Sequence, residues 1–147
     1  MYTLNSAKDR LCVNNYNIDL NSIDFIAMEK CAAYQGQYCV VFHIKAGKTK
    51  TMFKESASKN GRQTYDNYQQ LADLLIGEGT PFAEISGVRL INAANITGYK
   101  LVPDEKRGCQ NVIIDFGVRN FEFINVREND ISLIKNAVEN KTENEIN

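Results

Sequence analysis

The feature that most constrains the fold is a change in hydrophobic period that occurs twice along the 147 residues. Residues 38–53, "YCVVFHIKAGKTKTMF", read as a strand, a turn at residues 46–48 and a return strand, which is typical of a β-hairpin. Apolar spacings of three and four follow at residues 64–76, with Thr64 as a candidate N-cap and Gly77 as a candidate end. The first half therefore predicts a hairpin followed by a helix.

The second half repeats this order. Residues 89–102 read as strand, turn and strand, and residues 111–126 read as another hairpin. A second helix is predicted at residues 129–140, with Asn129 or Asp130 as its cap. Because the hairpins are local, we predict a mainly β, α+β fold in which antiparallel strands form two related hairpin groups with two covering helices.

The length of the chain is sufficient for one hydrophobic core, so we expect a single domain over residues 1–147. Residues 17–26 add one or two short strands with a turn at residues 21–22, whereas residues 1–10 and 141–147 are expected to be frayed. The residues expected in the core are Phe25, Val41, Leu71, Leu75, Ile91, Ile113 and Ile134.

Charge and hydropathy exclude several classes of protein. Lys and Arg number 17 and Asp and Glu number 18, so the whole chain does not attract phosphate and any nucleic-acid surface must be a local patch. No apolar run has the length of a signal peptide core or of the ~20 residues that span a membrane. We therefore expect a cytoplasmic protein without a membrane partner.

Catalytic, cofactor and metal sites are not indicated. The "AGKT" at residues 46–49 has Phe42 where a phosphate-binding loop requires glycine. His43 lies within a predicted strand, and a possible Asp115 and Glu122 pair across the second hairpin is better explained as an exposed cross-strand pair. The cysteines form no C-x-x-C pair and are expected to be reduced and partly buried: Cys12, Cys31, Cys39 and Cys109. We predict that the chain is not an enzyme and has no cofactor and no metal.

Residues 82–100, "FAEISGVRLINAANITGYK", contain the most specific pattern in the chain. Its apolar framework is Phe82, Ile85, Leu90, Ile91, Asn92 and Ile96. An earlier strand pair contributes Ile18, Leu20, Ile23, Phe25 and Ile26, and Val126-Arg127 follows the last hairpin. In this order, residues 17–139 resemble the LytTR-type DNA-binding domains of bacterial response regulators.

The resemblance implies contacts to duplex DNA through hairpin loops, but the sequence departs from the family where those contacts would lie. Ser86, Gly87 and Val88 stand at the His-[Arg/Lys]-Ser positions, and Arg89 stands at the aromatic position. Only Arg127 carries over as a contact residue at a matching position. Other basic residues that could contribute a local surface are Lys45, Lys48, Lys50, Lys59, Arg62, Lys106 and Arg107.

Two functions of different classes remain open. The first is a DNA-binding transcriptional regulator that contacts duplex DNA through Arg127, Arg89, Lys45, Lys48, Lys50, Lys106 and Arg107. The second is a non-catalytic protein-interaction or inhibitor module on a similar fold that has lost DNA binding. The sequence does not specify the DNA sequence, the protein partner or the oligomeric state.

Overall fold

The computed structural model describes residues 2–31, 35–46, 49–58, 60–104, 109–117 and 119–146, with the backbone alone described for residues 46, 49–53, 55–57, 104, 109 and 141–146. The strands are β1 (Tyr2–Leu4), β2 (Arg10–Val13), β3 (Tyr16–Asp19), β4 (Ile23–Cys31), β5 (Gln37–Ala46), β6 (Thr49–Ser58), β7 (Phe82–Ile85), β8 (Arg89–Asn92), β9 (Gly98–Asp104), β10 (Cys109–Asp115) and β11 (Asn120–Val126). The helices are α1 (Arg62–Gly77) and α2 (Glu128–Ile146), and short 3-10 helices cover Leu20–Ser22 and Ala93–Asn95.

In the described part of the chain the strands form three antiparallel sheets, ordered β1-β2-β3, β6-β5-β4-β8-β7 and β11-β10-β9. This confirms the predicted mainly β, α+β fold. The chain divides into two compact units, Met1–Glu84 with Val88–Asn92, and Ile85–Gly87 with Ala93–Asn147. The expectation of one domain stays a prediction.

The first unit has its main core between the sheets and α1. Tyr68, Leu71, Ala72 and Leu75 recur at helical spacings of three and four, and all are buried. They cluster with residues of β2, β3, β4, β5 and β8, namely Leu11, Val13, Ile18, Ile26, Val40, Phe42 and Leu90. The predicted core residues Phe25, Val41 and Ile91 of the sheet are also buried, as predicted.

The start of α1 differs from the prediction. The helix begins at Arg62 after Gly61, whose φ of 76° is in the left-handed region that glycine favours. A Cβ at Gly61 would also lie 3.0 Å from the Tyr38 ring, so a larger residue would crowd that side chain. Thr64 is not the cap: it is buried inside the first turn, and its hydroxyl donates to the Tyr38 carbonyl at 3.0 Å. The predicted end at Gly77 is confirmed.

Strand ends also differ from the predictions. Tyr2–Leu4 form β1 and pair with β2, where the sequence predicted a frayed segment. Strand β6 continues to Ser58, beyond residue 53, where the return strand of the hairpin was predicted to end. Of the predicted turn at residues 46–48, Ala46 is the last residue of β5, and residues 47–48 lie outside the described ranges.

The second unit packs its meander of three strands against α2. Val112 and Ile114 of β10, Phe123 of β11 and Ile134 of α2 are buried. Ile134 was predicted in the core, and this is confirmed. Helix α2 extends to Ile146, beyond the predicted end at residue 140.

Strand alternation and strand register contradict two predictions in this unit. Ile113 is only half-buried, because Val112 and Ile114 occupy the core-facing positions of β10. Asp115 and Glu122 do not face each other: Asp115 lies opposite Asn120, and Glu122 lies opposite Ile113.

The elements from β2 to α1 correspond in order to those from β7 to α2. A constant shift of 73 positions places β3 on β8, the 3-10 helix Leu20–Ser22 on Ala93–Asn95, and the last residue of β4 on the last residue of β9. In each half a hairpin and a 3-10 helix lead into a meander of three strands and then a helix. The structure thus contains two copies of one pattern.

Candidate functional site

The outer edge of β9 offers backbone groups to a further strand. Strand β9 pairs with β10 from Gly98 to Asp104 and, among the described residues, is the last strand of its sheet. Pro103 has no N–H to donate, and proline within a sheet belongs where the missing N–H would face outward. Because residues two apart point the same way, we infer that the N–H groups of Leu101 and Tyr99 also point away from β10.

The corresponding edge in the first unit is occupied. Strand β4 corresponds to β9 under the shift of 73 positions, and β8 pairs with it antiparallel, with Phe25 opposite Ile91. The Met28 amide donates to the Val88 carbonyl at 3.3 Å, so the outward N–H groups of β4 are used by this neighbour. Met28 corresponds to Leu101, which agrees with the outward direction inferred from Pro103. An antiparallel strand is therefore the neighbour that this pattern accepts.

A second arrangement of polar groups lies at the start of α2. The Asp130 carboxylate oxygen Oδ2 lies 2.5 Å from the Ser86 hydroxyl, 3.2 Å from the Ser86 amide and 3.0 Å from the Arg127 amide. Burial of Asp130 acts to raise the pKa of its carboxyl, but the three hydrogen bonds and the Arg127 charge outweigh it and lower the pKa below its ordinary value. Asp130 is therefore held as a carboxylate.

This contact has a consequence for anion binding. Asp130 is the third residue of α2, and its bond to the amide of Arg127, immediately before the helix, is half of a capping box. Free amides at a helix start attract phosphate, whereas here a carboxylate of the same chain already accepts from the Arg127 amide. Glu128 adds a second negative charge to the first turn.

The predicted DNA-contacting residues are placed as follows. In the second unit the Arg127 side chain is exposed, and Arg127 directly precedes Glu128, the first residue of α2. In the first unit Arg89 is half-buried on β8, opposite Ala27 of β4. Lys45 forms an ion pair with the fully buried Asp24, with Nζ to Oδ1 at 2.9 Å, so its charge is compensated locally.

The remaining predicted basic residues cannot be placed by their side chains. Lys50 lies on β6 opposite Lys45, with its backbone alone described. Lys48, Lys106 and Arg107 lie outside the described residues. Ser86, which stands where the resembling family has histidine, is turned toward Asp130.

His43 has a partner that the sequence did not indicate. Its Nε2 lies 2.6 Å from a carboxylate oxygen of Glu29 on β4, and its ring stacks on Phe25 with centroids 3.9 Å apart. The side chain is only 8% exposed. These contacts fix the ring and cover one of its faces, as expected for a structural histidine within the sheet.

Cys31 and Cys39 lie together on the β4–β5 hairpin and are both buried free thiols. Burial, followed by the hydrogen bond and charge of Cys31, raises the pKa of Cys39 to about 11, although Lys54 acts in the opposite direction. The thiolate is the nucleophilic form of cysteine, so Cys39 is a poor nucleophile near neutral pH. Within the described residues, no group of three His, Cys, Asp or Glu side chains is arranged to hold a metal ion.

No family model, curated protein or solved structure matches this chain. Among the described residues, no helix is long and apolar enough to cross a membrane.

Sequence reasoning missed the β9 edge as a candidate site. One signal for it was present, the order of the two halves, which indicated a repeat. Pro103 gave no signal, because the strand was predicted to end at residue 102 and β9 extends to Asp104. Which edge is left open is decided by the pairing of a strand of one half with a strand of the other. That pairing depends on contacts between distant parts of the chain and leaves no local pattern.

Proposed function

We propose that this chain is a non-catalytic protein-interaction module that accepts an extended protein segment along the outer edge of β9. One observation carries the proposal: β4 is extended by the antiparallel strand β8, while its counterpart β9 ends its sheet in the described part of the chain. Addition of a strand to an open sheet edge is an established mode of peptide recognition, in which main-chain hydrogen bonds supply affinity.

Side chains on β9 support the same function. Leu101 is 37% exposed and Lys100 is exposed, so the edge carries an apolar contact beside a charge. Pro103 limits how far a partner strand can extend toward the end of β9, because it offers no donor. We therefore expect a short partner segment with an apolar residue near Leu101.

The contacts around α2 favour this function over DNA binding. Asp130 holds Ser86 and accepts from the Arg127 amide, and Glu128 is the first residue of α2, so phosphate would meet two carboxylates in the same turn. Lys45 is already paired with Asp24. DNA binding of the LytTR type stays a prediction, and its test is part of the same experiment.

The test is selection of extended peptides from a random display library on the wild-type protein, followed by binding to two variants. Leu101→Pro removes an outward N–H of β9 without removing a bond to β10. Glu122→Pro is the matched control on β11, the opposite edge of the same sheet. Glu122 lies opposite Ile113, one step from the Val112–Phe123 pair, and by alternation it points its N–H outward. Circular dichroism checks that both variants fold.

The expected result is a set of peptides that bind the wild type and Glu122→Pro but lose at least tenfold in affinity for Leu101→Pro. Amide exchange at Tyr99 and Leu101 should slow when such a peptide is bound. The proposal fails if every selected peptide binds all three proteins equally. A duplex-DNA shift that weakens with salt and is lost in Arg127→Ala would instead support the DNA-binding function.

A further inference from the structure

The repeat also identifies a partner for β9. Under the shift of 73 positions, the strand that corresponds to β8 is β3, and among the described residues β3 lies at an edge of the sheet β1-β2-β3. Strand β8 extends the sheet of the other half of the chain. By the same relation, β3 is the strand that fits the edge of β9.

We propose that β3 of one copy of this chain pairs antiparallel with β9 of a second copy. The inference rests on the proposed function and names the partner. The register follows from the β4–β8 pair, in which Ile26 lies opposite Leu90. Under the shift of 73 positions, Ile26 corresponds to Tyr99 and Leu90 corresponds to Asn17, so Tyr99 lies opposite Asn17 of the second copy. The neighbouring pairs are then Gly98 with Ile18 and Lys100 with Tyr16.

The backbone polarity of β3 agrees with this register. A two-residue turn at Asn14 and Asn15 joins β2 to β3, and Asn14 has a φ of 55°, as the favoured hairpin turns require. In such a hairpin the pair next to the turn is hydrogen-bonded, so Asn17, one residue beyond Tyr16, points its backbone groups away from β2. The backbone groups of Tyr99 also point outward. Asn17 and Tyr99, which the register places opposite each other, therefore each present a donor and an acceptor to the other strand.

The side chains at the proposed contact are consistent with a partner. Tyr16 is 60% exposed on β3, and the register places it opposite the exposed Lys100. A lysine across from a tyrosine allows a cation–π contact. Leu101 is 37% exposed at the next position of β9, where a partner strand would cover part of its surface.

Each copy both donates β3 and accepts on β9. Two copies that make both pairings form a closed twofold dimer, and copies that make one pairing with each neighbour form a chain. Both assemblies depend on the same pair of edges. Light scattering after size-exclusion chromatography, measured over a range of concentrations, distinguishes them by mass.

The decisive experiment is complementation between two variants. Asn17→Pro removes an outward donor of β3, and Leu101→Pro removes an outward donor of β9. Each variant alone should be at least tenfold weaker in self-association than the wild type, because every pairing uses one altered edge. An equimolar mixture should recover a dimer through the intact β9 of the first variant and the intact β3 of the second.

Glu122→Pro should associate like the wild type. The register is tested by a Tyr16→Cys, Lys100→Cys double variant, which should form a reducible dimer on mild oxidation faster than either single variant. The inference is overturned if the wild type remains monomeric at all concentrations, or if the mixture associates no better than its components. If a monomeric wild type still binds selected peptides through β9, the proposed function stands and only the identity of the partner is wrong.

Discussion

Replacement of Asp130 by alanine should destabilise the second unit by about 2–3 kcal/mol. The carboxylate accepts from the Ser86 hydroxyl, the Ser86 amide and the Arg127 amide. A hydrogen bond to a charged group contributes about 1.5–3 kcal/mol, and loss of a helix cap costs about 0.5–2 kcal/mol. The total is less than the sum, because the Ser86 hydroxyl also lies 3.3 Å from the Asn125 carbonyl and can donate there instead.

The assay is urea unfolding followed by circular dichroism, with amide exchange of α2 to assign the loss to the second unit. Glu128→Gln is the matched control, since it removes an exposed carboxylate from the same helical turn and should change stability by less than about 0.5 kcal/mol. A double-mutant cycle with Ser86→Ala should give a coupling of about 1 kcal/mol between Ser86 and Asp130.

The effect should also depend on pH in a defined direction. The pKa of Asp130 is lowered in the folded protein, so the carboxylate stabilises the fold at pH values above its unfolded pKa of about 3.9. This stabilisation is lost as pH falls through the folded pKa. The difference between the wild type and Asp130→Asn should therefore be constant from pH 7 to about pH 5 and shrink below about pH 4. A loss below about 0.5 kcal/mol for Asp130→Ala, or a difference that grows in acid, would refute the reasoning.

Three further changes test the fold and the proposed edge. Gly61→Ala should lower the free energy of unfolding by about 2 kcal/mol, since φ is 76° and the added Cβ would crowd a ring at 3.0 Å. Ile114→Ala should cost about 3–4 kcal/mol in urea unfolding and Ile113→Ala about 1 kcal/mol, because only the first is fully buried. Asn17→Leu, which introduces the residue type of the corresponding Leu90, should tighten self-association by about fivefold in sedimentation equilibrium.

The sequence predicts the strand and helix pattern well where one face of an element is buried. The spacing of Tyr68, Leu71 and Leu75 located α1 because a helix that packs on one side repeats its apolar residues at three and four. The residues of β10 that face the core were harder to predict. Val112, Ile113 and Ile114 are all apolar, so alternation gives no signal there, and Ile113 was placed on the wrong face.

Contacts made by polar residues were not predictable in the same way. Asp130 was predicted as a candidate N-cap, but it is the third residue of α2, and its bonds to Ser86 join positions 44 residues apart. The partner of His43 was also missed, because Glu29 reaches it from the neighbouring strand. Such pairs depend on register and on side-chain reach, and neither leaves a periodic pattern in the sequence.

The difference between β3 and β8 follows from where each strand lies. Strand β8 sits between β4 and β7, and three of its residues, Leu90, Ile91 and Asn92, are buried. Strand β3 ends its sheet and buries Ile18 alone. Edge strands that carry polar side chains resist permanent pairing, because little apolar surface is removed from water when a partner binds. The pairing of β3 with β9 would then depend chiefly on main-chain hydrogen bonds at about 0.5–1.5 kcal/mol each, which favours a reversible association over an obligate dimer.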